Sequence, residues 1–139
     1  MSFILDSTFG NGGKLITDVN NEDNYANSIA ISSNNNIFVG GSTGINTNSD
    51  YLVIKYDSNG NIDTTFGNDG KIITDINNHK NLLKDMLIDS SDNILITGSG
   101  NSDFILFKYD SSGNLDTTFG NNGQVITDIS GSISEPRSM

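Results

Sequence analysis

Ile62 to Ile76 reads IDTTFGNDGKIITDI, and the same pattern stands at Leu5 (LDSTFGNGGKLITDV) and at Leu115 (LDTTFGNNGQVITDI). The second and third copies agree at 11 of 15 positions, and the copies begin 57 and then 53 residues apart. Self-similarity at such a period marks a repeat architecture. The two steps differ by one four-residue insertion: GSTGINTNSD (Gly41 to Asp50) stands where GSGNSD (Gly98 to Asp103) stands later. A change confined to Gly, Ser and Asn reads as a surface loop. The chain therefore divides into repeat 1 (5–61), repeat 2 (62–114), a partial repeat 3 (115–129) and a tail (130–139), within a single domain spanning 1–139.

Each period holds four short apolar runs. In repeat 1 they are Lys14–Val19, Ser28–Ile31, Ile37–Gly40 and Tyr51–Tyr56. In repeat 2 they are Lys71–Ile76, Met86–Ile88, Ile94–Thr97 and Phe104–Tyr109. Their length and their Ile, Val, Phe and Tyr content predict strands. SSNNN (Ser32 to Asn36) and DSSDN (Asp89 to Asn93) are hairpin links. Asn77 to Met86 offers a helical alternative that its repeat mate, NNEDNYANSI, does not share. YLVIKY and FILFKY barely alternate, which predicts sheets buried on both faces. Four strands per period, repeated, is the pattern of a β-propeller blade. The predicted fold is all-β, with four-stranded antiparallel blades. Two full blades and one extra strand, Gln124–Ile129, would be completed by oligomerisation.

The recurring L-D-x-T-F-G-x-x-G-K followed by an apolar strand resembles the delta-60 repeat. Asp6, Phe9, Gly10 and Gly13 recur as Asp63, Phe66, Gly67 and Gly70, then as Asp116, Phe119, Gly120 and Gly123. The resemblance implies tandem propeller-like blades and no established activity. It also implies an exported or surface setting, whereas MSFIL, too short and uncharged for a signal peptide, favours the cytoplasm.

Composition narrows the function classes. The chain carries 17 acids against 7 bases, for a net charge of −10. That excludes a basic footprint for nucleic acid or an anionic membrane. Without Cys there is no thiolate metal site, disulfide or Cys nucleophile, and a single His79 excludes a multi-imidazole centre. Asn (21), Ser (18) and Gly (15) load the sequence with turn formers.

The motif residues have a structural reading. Asp57-Ser-Asn-Gly60 turns the chain, with Gly60 free to take positive φ. Asp63 caps local backbone N–H groups with Thr64 and Thr65. Phe66 plugs the space between blades, while Gly67 and Gly70 let the backbone pass its ring. By repetition Asp6, Phe9, Gly10, Asp116, Phe119 and Gly120 form the same structural motif. A rival reading is calcium. Asp57, Asn59, Asn61 and Asp63 alternate like the oxygen ligands of an EF-hand-like loop, and Asp110, Asn114 and Asp116 repeat part of the pattern. Against it, Gly60 sits at the fourth position instead of the sixth, and no Glu closes the loop.

Thr-Asp ends each first run, at Asp18, Asp75 and Asp128. If that run lines a central channel, these acids form a candidate channel ring. Lys55 and Lys108 read as solvent-side charges blunting an outer edge, and His79 as solvated. No catalytic set is visible, so the expectation is not an enzyme. The leading expectation is a scaffold or protein-interaction module assembling head to tail as a trimer or tetramer ring or an open filament. A lectin-like glycan binder is the alternative, and a channel hydrolase the third.

Overall fold

The computed structural model describes residues 4–45, 48–100 and 103–128. These residues form eight strands and no helix: β1 (Asn24–Ile31), β2 (Ile37–Ile45), β3 (Asn48–Tyr56), β4 (Lys71–Thr74), β5 (Asn81–Ile88), β6 (Ile94–Gly100), β7 (Asp103–Tyr109) and β8 (Gln124–Thr127). They make two four-stranded antiparallel sheets, ordered β1-β2-β3-β4 and β5-β6-β7-β8. The fold is all-β and blade-like, as the repeat predicts.

The blades are shifted by one strand from the predicted grouping. KIIT is the fourth strand of the blade before it, since Tyr51, Leu52, Val53 and Ile54 pair with Thr74, Ile73, Ile72 and Lys71. For the same reason β8 is no extra strand: it closes the second sheet on β7. Ile129 and the tail 130–139 lie outside the described residues. The segment left without a sheet is Lys14–Val19, which forms no strand. It lies instead across the first sheet.

Residues along β3 alternate between two cores. On one face Phe38, Tyr51, Val53, Phe66 and Ile72 meet Leu83, Met86, Ile94, Ile96, Ile105, Phe107 and Tyr109 of the second sheet. On the other, Leu52, Ile54 and Tyr56 pack with Ile37, Val39 and Val19. The uniform apolar run of β3 is thus explained by burial on both sides. The sheets approach through β5, which packs against β1, β2 and β3.

Both inner edge strands carry a β-bulge at the same repeat position, between Ala26 and Ser28 and between Leu83 and Asp85. The bulge turns polar groups across the gap between blades. Asn27 Nδ2 donates to the Leu83 carbonyl at 2.7 Å, Ser28 Oγ to Asp85 at 2.8 Å, and the Leu83 N–H to Ser42 Oγ at 3.2 Å.

The four-residue insertion is ladder, not loop. It adds the pairs Gly44↔Ser49 and Ile45↔Asn48 to a hairpin whose counterpart ends at Gly100↔Asp103. The stretch from Asn77 to Met86 is a turn running into β5, with Asn77 and Asn78 at positive φ. Among the described residues, six of the eight positive-φ residues other than glycine are Asn. Asn at these positions has a backbone cause, since Asn tolerates the left-handed region best after Gly.

Candidate functional site

The motif segment stands three times in the chain, and its second and third copies join the third and fourth strands of a blade. In the second copy it begins with an Asx turn. The Asp57 carboxylate accepts from the backbone N–H groups of Asn59 and Asn61 at 2.9 and 2.8 Å, and from Asn61 Nδ2 at 2.8 Å. Gly60 takes φ 87°. The chain then doubles back along β3, through Asp63 N–H to Lys55 O at 3.0 Å and Lys55 N–H to Gly70 O at 3.1 Å. Asp63 accepts from the Thr65 N–H and hydroxyl at 3.1 and 2.6 Å, and its second oxygen meets Lys55 Nζ at 2.9 Å.

Lys55 is therefore no edge charge. It lies on a central strand, paired with Asp63 and held 5.6 and 5.7 Å from the ring centres of Phe38 and Phe66. Lys108 repeats the ion pair with Asp116 at 3.1 Å. Both lysines tie the motif segment to the strand behind it.

Asp57 and Asp63 spend their oxygens on separate neighbours, so the geometry does not bring Asp57, Asn59, Asn61 and Asp63 together around one point. Asp110 makes the same turn with Ser112 and Asn114, and Asp116 the same cap with Thr118. Among the described residues no group of three or more His, Cys, Asp or Glu is placed to hold a metal. Hydrogen bonding holds these carboxyls below the usual carboxylate range: from Asn61 onto Asp57, from Thr65 and Lys55 onto Asp63, and from Thr118 and Lys108 onto Asp116.

The channel ring is not formed. Asp75 and Asp128 follow β4 and β8, the edge strands opposite β1 and β5, where the blades approach. Asp18 lies within the unpaired segment, and all three acids are exposed. Asp75 caps a turn by accepting from the Asn78 N–H at 3.0 Å. His79 is exposed in that turn.

Phe9 and Phe66 each seat on the turn that precedes the following motif copy. Phe66 is 1% exposed, packs edge-on to Phe38 at 5.6 Å, and lies against Gly113, where a Cβ would come within 3.0 Å of the ring. Gly67 N–H adds a bond to Ser112 O at 2.8 Å. One repeat earlier, Phe9 lies against Gly60, and Gly10 N–H donates to Asn59 O at 3.0 Å. The junction closes at the strand below: Thr74 and Tyr109 hydroxyls meet at 2.7 Å, while Thr17 and Tyr56 meet at 2.8 Å. Tyr51 completes it by lying over Gly98, which has no room for a side chain.

These stacked, repeat-to-repeat contacts between four-stranded antiparallel blades are those of a propeller. The chain is a β-propeller-like repeat domain. A family model described as a β-propeller domain of unknown function, DUF5122, matches residues 32–66 and 90–119. A search of curated proteins gave no match. The matched stretches run from the first hairpin of each blade through Phe66 and Phe119, so they cover the parts that build this junction.

The sequence signal for Phe66 was its recurrence. Its seat carries only a turn signal, because a Gly at positive φ and a Gly under a ring look alike in one dimension. Asn27, Ser28 and Asp85 carried no signal, since their repeat mates differ.

Proposed function

We propose that the chain is a non-enzymatic scaffold that associates head to tail with further copies of itself. One contrast carries the reading. Ile29 on β1 is 68% exposed, whereas Met86, its repeat mate on β5, is 2% exposed. The face that sheet 2 turns to sheet 1 is thus duplicated on sheet 1 with nothing opposite Ile29. The complementary face is available too. Leu95, Phe104, Leu106, Phe119 and Val125 are the mates of Phe38, Tyr51, Val53, Phe66 and Ile72, yet all five are only half-buried. Apolar surface of this kind gains on the order of 25 cal/mol for each Å² removed from water.

A contact between unlike faces repeats by rotation. Propellers close with four to eight blades, so three chains would give six blades and four would give eight. A rotation that fails to close gives a filament. The delta-60-like motif, whose family resemblance implies tandem blades, fits this use.

Sedimentation and light scattering across a concentration series test it. Association into multiples of the 14.9 kDa chain, lost in Ile29→Asp, is the expected result. A species of chain mass at every concentration would overturn the scaffold reading.

A further inference from the structure

The outer face of sheet 1 is already partly covered, and by a piece of the chain that carries the same motif as residues 115–129. Residues 5–19 place Phe9 on Gly60, Gly10 N–H on Asn59 O, and Thr17 on Tyr56. Residues 62–76 make the same three contacts with repeat 2: Phe66 on Gly113, Gly67 N–H on Ser112 O, and Thr74 on Tyr109. Segment 5–19 therefore sits where the fourth-strand segment of a neighbouring blade belongs. It does so poorly. Unlike KIIT in β4, its KLIT stretch has no sheet, Ile16 is 91% exposed and Leu15 38%. Beside it an open groove of about 360 Å³ remains, lined by Leu15, Thr17, Val19, Tyr25, Ile29 and Tyr56 among others.

The third motif copy has the converse situation. Residues 115–128 carry the same Asp, Phe, Gly and Thr, and QVIT is held on β7 as the fourth strand of a complete blade. Phe119 is only half-buried, where its mate Phe66 is 1% exposed. A second copy docked as above would bring Phe119 to Gly60, Thr127 to Tyr56 and Phe104 to Gly41, the mates of the observed pairs. Both segments cannot hold that place.

We infer that the Asn59, Gly60 and Tyr56 surface of repeat 1 is a binding site for the third motif of a second copy, and that residues 5–19 are its competitor in the same chain. The inference rests on the head-to-tail reading and adds what that reading lacks: a built-in cap that must leave before chains join. The loosely held segment sets the concentration at which they do.

A labelled synthetic peptide of residues 115–128, titrated into the full chain, tests the site without requiring assembly. Phe9→Ala with Thr17→Val weakens the competitor and leaves the site intact. This variant should bind the peptide at least tenfold more tightly than the parent, while a peptide carrying Phe119→Ala and Thr127→Val should not bind. Thr17→Val alone, which removes only the hydroxyl contact to Tyr56, should shift affinity in the same direction by a smaller factor. It provides the measurement if the double variant does not fold. Equal affinity in parent and folded variants, or equal binding of the altered peptide, would overturn the inference. Peptide binding together with a parent and variants that stay at chain mass would overturn only the scaffold reading.

Discussion

Phe66 and Gly113 stand 47 residues apart in sequence, yet the Phe66 ring leaves no space for a β-carbon on Gly113. The contact joins a loop of the first blade to a turn of the second, so it reports directly on whether the two blades are stacked. Phe66→Ala should cost about 3–5 kcal/mol in chemical denaturation, as expected when a buried aromatic is emptied from a core. Gly113→Ala should also destabilise, by at least about 1 kcal/mol, because φ 87° is strained for any side chain. A change within about 0.5 kcal/mol for both would show that the blades are not held by this contact.

Ile29 and Met86 make a matched pair for testing the blade grouping. Met86→Ala should cost about 2–5 kcal/mol, whereas Ile29→Ala in dilute, unassociated protein should stay near 0.5 kcal/mol. Equal losses would mean that the outer face of sheet 1 is covered as well as the inner one. Urea titrations at low protein concentration measure the difference.

The lysine pairs should differ in strength. Lys55 lies beside two rings and its side chain is 14% exposed, against 30% for Lys108. A double-mutant cycle on Lys55 and Asp63 should give a coupling of roughly 0.5–1 kcal/mol, and one on Lys108 and Asp116 a smaller value. Cycles that return the same coupling would argue that the rings add nothing.

Stability should fall at both ends of the pH scale. Asp6, Asp57, Asp63, Asp89 and Asp116 are lowered first by side-chain hydrogen bonds, from Thr8, Asn61, Thr65, Asn93 and Thr118. At Asp110 burial works upward, but bonds from Asn114 and Ser112 prevail. Carboxyls lowered by folding contribute stability above their ordinary value of 3.8 and lose it as pH falls through the lowered values. Asp50 acts oppositely: burial, then Asp75 and Glu22, push it up, so its protonation relieves the fold as pH falls. Asp50→Asn should therefore raise the melting temperature at neutral pH. At the alkaline end, burial pushes Tyr109 from 10.0 to about 12 against the bond from Thr74, and burial raises Tyr51 as well. The stability these phenols lend is present below pH 10.0 and is lost as pH climbs toward about 12. Melting curves with phenolate absorbance would follow both limbs, and a flat alkaline limb would contradict their burial.

The period, the strands and the turns were legible in the sequence because apolar runs and left-handed residues are local signals. Tyr51–Tyr56 and Phe104–Tyr109 coincide with the cores of β3 and β7. The grouping into blades was not legible. A cyclic repeat reads identically whether KIIT opens one unit or ends another, and only the fold-back of Asp63 onto the Lys55 carbonyl decides. Alternating oxygens at Asp57 to Asp63 suggested a shared ligand, but the backbone N–H groups of Asn59, Asn61 and Thr65 claim them first. Lys55 looked like an edge charge because its place beside Phe38 depends on which strand lies outermost.

The longer hairpin of the first blade carries a rule of parity. Four inserted residues divide as two on each strand, so every side chain below Thr43 and Asp50 keeps the face it has in the second blade. A one-residue slip of β3 against β2 would turn Tyr51 off Gly98 and send alternate residues of β3 to the wrong side. The extension also reaches the neighbour, through Ser49 Oγ to the Asn81 carbonyl at 3.1 Å. Hairpin tips of this domain can thus lengthen by equal numbers of residues on the two strands without disturbing the stack, which makes them the natural place for one repeat to diverge from the next.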